Sequence, residues 1–132
     1  MPVVFSGFYG TIPNSRKRRC SNQKMLLIER SPKIKNFQRE FIIMGSTGNI
    51  YNITIKDTPM CTCPDYVKRG NRCKHIYFVL VKIMRVSEIN QEKDEYTKKD
   101  LVKMFNNIPK ITKNLLASKD HINLYERKKK ML

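Results

Sequence analysis

The chain has 132 residues, which is the length of one domain or of a smaller domain with extensions. Hydrophobic residues make up 40% of it, so we expect a modest core that a metal ion would help to stabilise. The net charge of +16 at pH 7 favours a polyanionic partner, and nucleic acid is the first expectation. The sequence has neither an apolar run of bilayer length nor a signal-peptide layout. We therefore expect an intracellular protein of the cytoplasm or nucleus, or of a virion if the source is a virus, with no membrane partner.

The N-terminal segment, residues 1–22, is predicted to be a flexible basic arm with little regular structure, because proline and glycine recur in it. Its run of four basic residues has three open interpretations: a nuclear-localisation-like signal, an arm that binds nucleic acid, or solvated charge. Cys20 follows the run and is predicted to be a free thiol without a special role. The run consists of Arg16, Lys17, Arg18 and Arg19.

Three short runs rich in β-formers come next. Residues 24–30 predict a strand, and residues 41–44 and 50–55 flank a glycine-bounded turn that is typical of a hairpin. In the second hairpin strand the apolar residues alternate with polar ones, so one face of the sheet is expected to be buried. The residues on that face are Tyr51, Ile53 and Ile55.

Helical patterns dominate the second half of the chain. Residues 74–86 carry an apolar stripe that is wide enough to be covered on more than one side. Residues 87–96 are a polar connector, and Thr97 with Asp100 predicts the capped start of a further helix. A weak helix is expected at 111–116, and the basic residues 127–130 are expected to be solvated. The apolar residues of the capped helix are Leu101, Met104 and Phe105.

Four potential metal ligands are spaced as C-x-C-x9-C-x-H. In an extended segment residues i and i+2 point to the same side, so the first two sulfurs can reach one ion, and Pro64 then turns the chain away. The second pair is predicted to lie at the start of the long helix, where free N–H groups and the helix dipole stabilise a thiolate. The ligands are Cys61, Cys63, Cys73 and His75.

Three thiolates and one imidazole form a closed set that favours one tetrahedral, structural Zn²⁺. Two disulfides are the less favoured alternative in a reducing compartment, and an iron–sulfur cluster usually needs four thiolates. A cysteine–histidine nucleophile pair would not require two further thiols. We expect zinc to contribute on the order of 10 kcal/mol to folding.

The stretch "FIIMGSTGNIYNITIKDTPMCTCPDYVKRGNRCKHIYFVLVKIMRV" resembles a SWIM-type zinc finger, in which C-x-C, commonly followed by proline, precedes a variable gap and a C-x-H that opens a helix. The resemblance covers about residues 24–90 and implies that all four ligands carry over, with a hairpin before the site and a helix after it. It implies binding to DNA or to another protein. With a short helix such as "LVKMF" after it, the motif also looks like the branch of SWIM proteins in which a RING finger follows, and those are ubiquitin ligases. No cysteine follows His75, so this chain contains no RING.

The expected fold is therefore α+β: a small zinc-stapled domain with a β-hairpin or three-stranded antiparallel sheet plus a helix, followed by short C-terminal helices. The predicted division is a basic arm at 1–22, a SWIM-type zinc finger domain at 23–90 and a short helical, basic extension at 91–132.

Several cations lie on or beside the segment between the two ligand pairs. They are interpreted either as phosphate contacts or as local compensation for a zinc site whose net charge is −1. One or two cations would suffice for compensation, so we favour polyanion binding. Tyr66 is a candidate for base stacking, whereas Tyr77 borders the helix stripe and is expected in the core. The candidate nucleic-acid-binding residues are Lys68, Arg69, Arg72 and Lys74, with Arg16, Lys17, Arg18 and Arg19.

The sequence thus predicts a zinc-binding module that contacts DNA or RNA mainly through phosphates. The alternative is a protein–protein adaptor, related to ubiquitin-ligase or transcription machinery, that docks a partner through its C-terminal helices. The helix at 101–105 motivates this alternative, because it is expected to have little core left to cover. Neither an open coordination position nor a catalytic side-chain pair indicates an enzyme, so no catalytic residue and no small-molecule substrate are expected.

Overall fold

The computed structural model describes residues 15–31 and 37–130. This part of the chain combines a four-stranded antiparallel sheet with helices, which confirms the predicted α+β class, although the sheet has one strand more than expected. In chain order the elements are α1 (Ser15–Asn22), β1 (Leu26–Arg30), β2 (Arg39–Met44), β3 (Ile50–Ile55), β4 (Met60–Cys61), α2 (Pro64–Arg69), α3 (Lys74–Tyr77) with a π-helical continuation (Phe78–Ile83), α4 (Glu88–Glu92), α5 (Lys98–Asn106), a 3₁₀ turn (Lys113–Leu115) and α6 (Lys119–Lys130).

The centre of the sheet is the predicted hairpin of β2 and β3. Its turn is closed by the backbone N–H of Gly45, which donates to the carbonyl oxygen of Asn49 at 2.8 Å. Gly48 has a φ of +89°, a conformation that glycine adopts without a steric penalty. The strands follow one another in the order β1-β2-β3-β4, so each is joined to its neighbour without a crossover.

The predicted alternation of β3 is confirmed. Ile53 and Ile55 are fully buried, and Tyr51 packs against the same core from its edge. The short strand β4 extends the sheet by pairing Cys61 with Ile53. The first metal ligand is therefore held directly by the sheet.

The long helix predicted at 74–86 is present, but it ends earlier and changes its hydrogen-bonding pattern. After one α-helical turn it continues at Phe78–Ile83 as a π-helix, in which bonds join residue i to residue i+5. Arg85 has a φ of +50° and ends the helical segment. Three consecutive residues, 78–80, are at most 2% exposed, which confirms that the helix is covered on more than one side.

Helix α5 closes the core, so the expectation that it has little core to cover is wrong. The predicted capping box is present: Asp100 N–H donates to Thr97 Oγ1 at 3.1 Å, and Thr97 N–H donates to Asp100 Oδ2 at 3.0 Å. The three apolar residues belong to the same buried cluster as the sheet and α3, so they offer no surface to a partner. Leu101, Met104 and Phe105 are 2%, 5% and 4% exposed, respectively.

The segment before α5 explains this burial. It contains α4, which is capped by the Ser87 hydroxyl accepting a hydrogen bond from Asn90 N–H at 3.3 Å. Tyr96 is 4% exposed, and its backbone N–H donates to the carbonyl oxygen of Asp57, just beyond β3. This contact returns the chain to the sheet and places α5 over the core.

The N-terminal segment also differs from its prediction. From Ser15 to Asn22 it forms α1, which packs against α3 and its π-helical continuation. Cys20 is 2% exposed and belongs to the core cluster. Residues 1–14, which the prediction of a flexible arm includes, lie outside the described residues, as do residues 32–36 and 131–132.

The C-terminal part covers one edge of the sheet. Instead of the weak helix expected at 111–116, the chain makes a 3₁₀ turn and then forms a parallel bridge between Leu116 and Leu27 of β1. The N–H of Ala117 donates to the carbonyl oxygen of Leu27 at 2.8 Å. Within the described part of the chain, this bridge partly shields the outer edge of β1.

The last described element, α6, carries the basic residues expected to be solvated, and Arg127 and Lys129 are exposed. The sequence did not predict that they lie on a helix of 12 residues. None of the helices in the described ranges combines the length and apolar character needed to cross a bilayer.

Candidate metal centre

The four predicted ligands converge on one point. One ligand atom from each of Cys61, Cys63, Cys73 and His75 lies within 4.8 Å of the other three. All four side chains are buried, with exposures of 5%, 1%, 0% and 4%. Soft donors gathered this closely and shielded from water form a preorganised cation site.

The first ligand pair is fixed by the sheet and by α2. Thr62 N–H donates to the carbonyl oxygen of Asn52 at 3.1 Å, which extends the pairing of β3 and β4 through the C-x-C segment. Cys63 is the N-cap of α2, and Pro64 occupies the first helical position, where a missing N–H costs nothing. The chain therefore turns sharply after the second sulfur, as the sequence predicts.

Backbone N–H groups point at the sulfurs of this pair. The N–H of Cys63 donates to Cys61 Sγ at 3.4 Å, and the N–H of Tyr66 donates to Cys63 Sγ at 3.4 Å. Hydrogen bonds of this kind favour the thiolate, which is the form that binds metal.

The second ligand pair opens α3. Cys73 is the N-cap of that helix and His75 lies in its first turn, which confirms the predicted placement. The hydrogen bond with Cys61 lowers the pKa of the Cys73 thiol, and the backbone N–H of Ile76 lowers it further. The helix start thus supports the third thiolate and directs the imidazole to the same point.

The imidazole itself supplies the test of metal binding. His75 Nδ1 is buried and has no hydrogen-bond partner among the described residues. A buried ring nitrogen without a partner is costly, and a metal ion at the centre of the cluster satisfies it. We therefore assign Nδ1 as the ligand atom.

The orientation of this ring is set by the hairpin. The rings of Tyr51 and His75 pack with their centroids 4.4 Å apart. Next to both rings, a Cβ added at Gly45 would lie 3.4 Å from His75 Nε2 and 3.2 Å from Tyr51 Cε2. Only a residue without a side chain fits this contact comfortably, so Gly45 lets the turn pack directly on the metal ligand.

The donor set fits zinc. Three thiolates and one imidazole supply the four ligands of a tetrahedral structural site, and no coordination position is left for a water molecule. Cys61, Cys63, Cys73 and His75 thus form the binding site of one structural zinc ion. Cys20, the fourth cysteine, is not part of the cluster.

Zinc binding at this site is expected to weaken as the pH falls. Burial raises the pKa of the Cys63 thiol, and the hydrogen bond with Cys73 raises that of Cys61, so both carry protons near neutral pH when no metal is bound. Zinc must displace these protons, so its apparent affinity should fall about tenfold per pH unit for each proton released. Competition with a chromophoric chelator between about pH 8 and 6 measures this slope. An affinity independent of pH would contradict it.

Three of the predicted nucleic-acid-binding cations are used within the protein. Arg16 donates from Nε and Nη2 to Asp65 Oδ2 and Oδ1, at 2.7 and 3.0 Å, and thereby joins α1 to α2. This guanidinium holds the pKa of Asp65 below its usual range. Lys74 Nζ donates to Gln23 Oε1 at 2.5 Å.

Arg72 is the third of these. Its guanidinium donates to the backbone carbonyl oxygens of Gln91 and Lys93 and lies 5.4 Å from the centre of the Tyr96 ring. It therefore links the segment between the two ligand pairs to the connector at 87–96, which contains α4. The structure gives this residue a local, structural role.

The remaining candidates are more accessible. Lys17 forms an ion pair with Glu92 at 3.8 Å, and Arg69 forms one with Asp65 at 3.6 Å. Arg18, Arg19 and Lys68 are exposed.

Sequence reasoning missed Asp65, although one signal was present. It is an acidic residue directly after "CTCP" in a strongly basic segment, and it holds both Arg16 and Arg69. Gln23 contacts Lys74, and Tyr96 contacts Arg72. No signal in the sequence indicated these contacts, because the partners lie far apart along the chain.

Comparison with known proteins agrees with this geometry. Residues 51–83 match the SWIM zinc finger family, a segment that contains all of β3 except its first residue, all four ligands and the helical turns after them. No curated protein and no solved structure matches the chain.

Proposed function

We propose that this chain, whose residues 51–83 form a SWIM zinc finger, binds nucleic acid mainly through phosphate contacts and without catalysis. The zinc ion has a structural part in this proposal, since four side chains fill its coordination sphere. The net charge of +16 supports a polyanionic partner.

The observation that carries the proposal is the docking of α1 against α2. The bidentate contact between Arg16 and Asp65 fixes the basic helix beside the zinc site. Arg19 is close enough to lower the pKa of Asp65, and Arg69 lies within 3.6 Å of the same carboxylate. Two basic segments that are distant in sequence are therefore neighbours in space. We define the basic surface as the exposed cations of these two segments, Arg18, Arg19, Lys68 and Arg69.

The charge of the basic surface exceeds the local requirement. A zinc ion with three thiolates and a neutral imidazole has a net charge of −1. Arg16 and Arg69 flank one carboxylate, and Lys74 and Arg72 are already bonded to uncharged oxygens within the protein. Exposed cations on a rigid support are the groups that contact phosphates without reading sequence.

The proposal is tested by the salt dependence of binding. The log of the affinity for a labelled oligonucleotide should fall linearly with the log of the salt concentration. Replacing Lys68 and Arg69 by glutamine should reduce that slope by about 1 for each phosphate that the variant no longer neutralises, and weaken binding similarly for unrelated sequences. Fluorescence anisotropy at several salt concentrations measures both quantities.

A matched control separates position from charge. Lys110 and Lys113 are exposed and lie outside the basic surface, so replacing both by glutamine removes the same charge. That variant should keep most of the slope. If both double variants change the slope equally, the binding is a property of net charge and not of this surface. Absent or salt-insensitive binding of the unmodified chain would refute the proposal.

A further inference from the structure

A cleft of about 380 Å³ opens beside the zinc site, at the edge of the basic surface. We propose that this cleft holds one unpaired nucleotide of a single-stranded nucleic acid. The inference rests on the proposed nucleic-acid binding and gives it a preferred substrate class. The cleft volume lies at the lower end of the range for small-ligand sites, which suits a group the size of a single nucleotide.

Two guanidinium groups of the cleft are held in place before any ligand arrives. Arg16 is fixed by Asp65, and Arg72 is fixed by two backbone carbonyl oxygens. A guanidinium has five N–H donors, so these contacts leave donors for a ligand. Arg69 also lines the cleft, and its side chain is 44% exposed. A phosphodiester at the mouth of the cleft would meet this more accessible cation.

The rest of the lining argues for a base rather than for phosphate alone. Asp94 lines the same cleft as the three arginines, and a site for phosphate only would gain nothing from this exposed carboxylate. Glu92 also lines the cleft, where it is paired with Lys17 at 3.8 Å. A base edge carries both hydrogen-bond donors and acceptors, so it can use acidic and basic partners together. Asn71, which is exposed at the rim, offers one more hydrogen-bond donor group and one more acceptor.

An aromatic wall completes the arrangement. Tyr66 lines the cleft and is partly exposed, and the side chain packs on the core from there. Its backbone N–H is bonded to Cys63 Sγ, so the zinc site fixes the backbone that carries the ring. Tyr77 also lines the cleft but is only 8% exposed, as expected of a core residue. Stacking on an aromatic ring requires a base that is free of its neighbours, which a single strand provides and a duplex does not.

The proposed nucleotide cleft is tested most directly by varying the oligonucleotide. The full zinc-loaded chain is titrated with a labelled single-stranded oligonucleotide, with the same strand as a duplex, and with a strand of equal length that is abasic at every position. The abasic strand keeps every phosphate and lacks only the bases. It should bind about tenfold more weakly than the complete single strand. Equal affinity for the two single strands would overturn the inference.

Protein variants then locate the effect. Tyr66→Ala should weaken binding of the complete strand about tenfold and leave the abasic strand unchanged, whereas Tyr66→Phe keeps the ring and should bind as the unmodified chain. Zinc content and melting temperature show whether Tyr66→Ala is folded. If it is not, Asn71→Ala at the exposed rim is used, and it should narrow the difference between the complete and abasic strands. An unchanged difference in a folded Tyr66→Ala variant, or in the Asn71→Ala variant that replaces it, would place the base elsewhere and overturn the inference.

The two proposals fail in distinguishable ways. If the unmodified chain binds none of the oligonucleotides, the proposed nucleic-acid binding itself is refuted. Equal binding to duplex, complete and abasic strands would leave the phosphate surface standing and remove the nucleotide cleft. The nucleotide in the cleft could be free or part of a strand, and nucleoside monophosphates added as competitors distinguish the two. Displacement of the labelled strand at micromolar concentration assigns the cleft to a free nucleotide and overturns its assignment to a strand. No displacement, together with the abasic effect, supports the strand.

Discussion

Removal of zinc with a chelator is expected to unfold the domain. The ion joins the end of β4, the start of α2 and the start of α3, so its removal separates three elements at once. It also leaves the thiols and the imidazole of the site buried without a metal, and burying unpaired polar groups is costly. Structural zinc contributes on the order of 10 kcal/mol, which is comparable to the whole stability of a small domain. Circular dichroism should lose its helical and strand signal and recover it when zinc is restored.

The chain provides a matched pair of cysteine variants for this experiment. Cys73→Ser removes a ligand and should abolish stoichiometric zinc binding together with the cooperative melting transition. Cys20→Ala alters a cysteine that is equally buried but lies outside the metal cluster, so it should still bind one zinc ion. A spectrum and melting curve that are unchanged by the chelator would contradict the structural role of the metal.

The second large effect is expected at α5. Leu101→Ala should lower the free energy of unfolding by about 2–5 kcal/mol, because Leu101 is 2% exposed and its truncation leaves a cavity in the main core. Urea denaturation followed by circular dichroism measures the change. The result separates two roles for this helix, since a residue that only docks a partner would not affect the stability of the isolated chain.

Val102 is the control on the same helix. It is 39% exposed, so Val102→Ala should cost less than about 1 kcal/mol. If Leu101→Ala and Val102→Ala have equally small effects, α5 is not part of the core.

The contrast between the zinc site and its surroundings shows which features the sequence can reveal. The ligands were predictable because each pair is local: extended backbone from the end of β4 to the N-cap of α2 brings Cys61 and Cys63 together, and a helix start places Cys73 and His75. The hairpin and the α5 capping box were predictable for the same reason. Each depends on residues that are close together along the chain.

The roles of the basic residues were not predictable, because they depend on contacts between distant segments. Arg16 and Asp65 are 49 positions apart, and α1 has no apolar stripe that would mark a buried face, since Cys20 is its only buried residue. The burial of α5 depends on the Tyr96–Asp57 contact that returns the chain to the sheet. A periodic pattern shows that a face is apolar, but not what covers it.

The carboxylate at position 65 has a wider consequence. It lies in the first turn of α2, a helix whose N-cap is the zinc ligand Cys63, and it grips a helix that begins 50 positions earlier. When the metal is removed, Asp65 is no longer held in position, and the cations of α1 and α2 are expected to move apart as the domain unfolds. Under the proposed function, the supply of zinc would then govern how closely these positive charges are held together, and so how tightly the chain binds a polyanion.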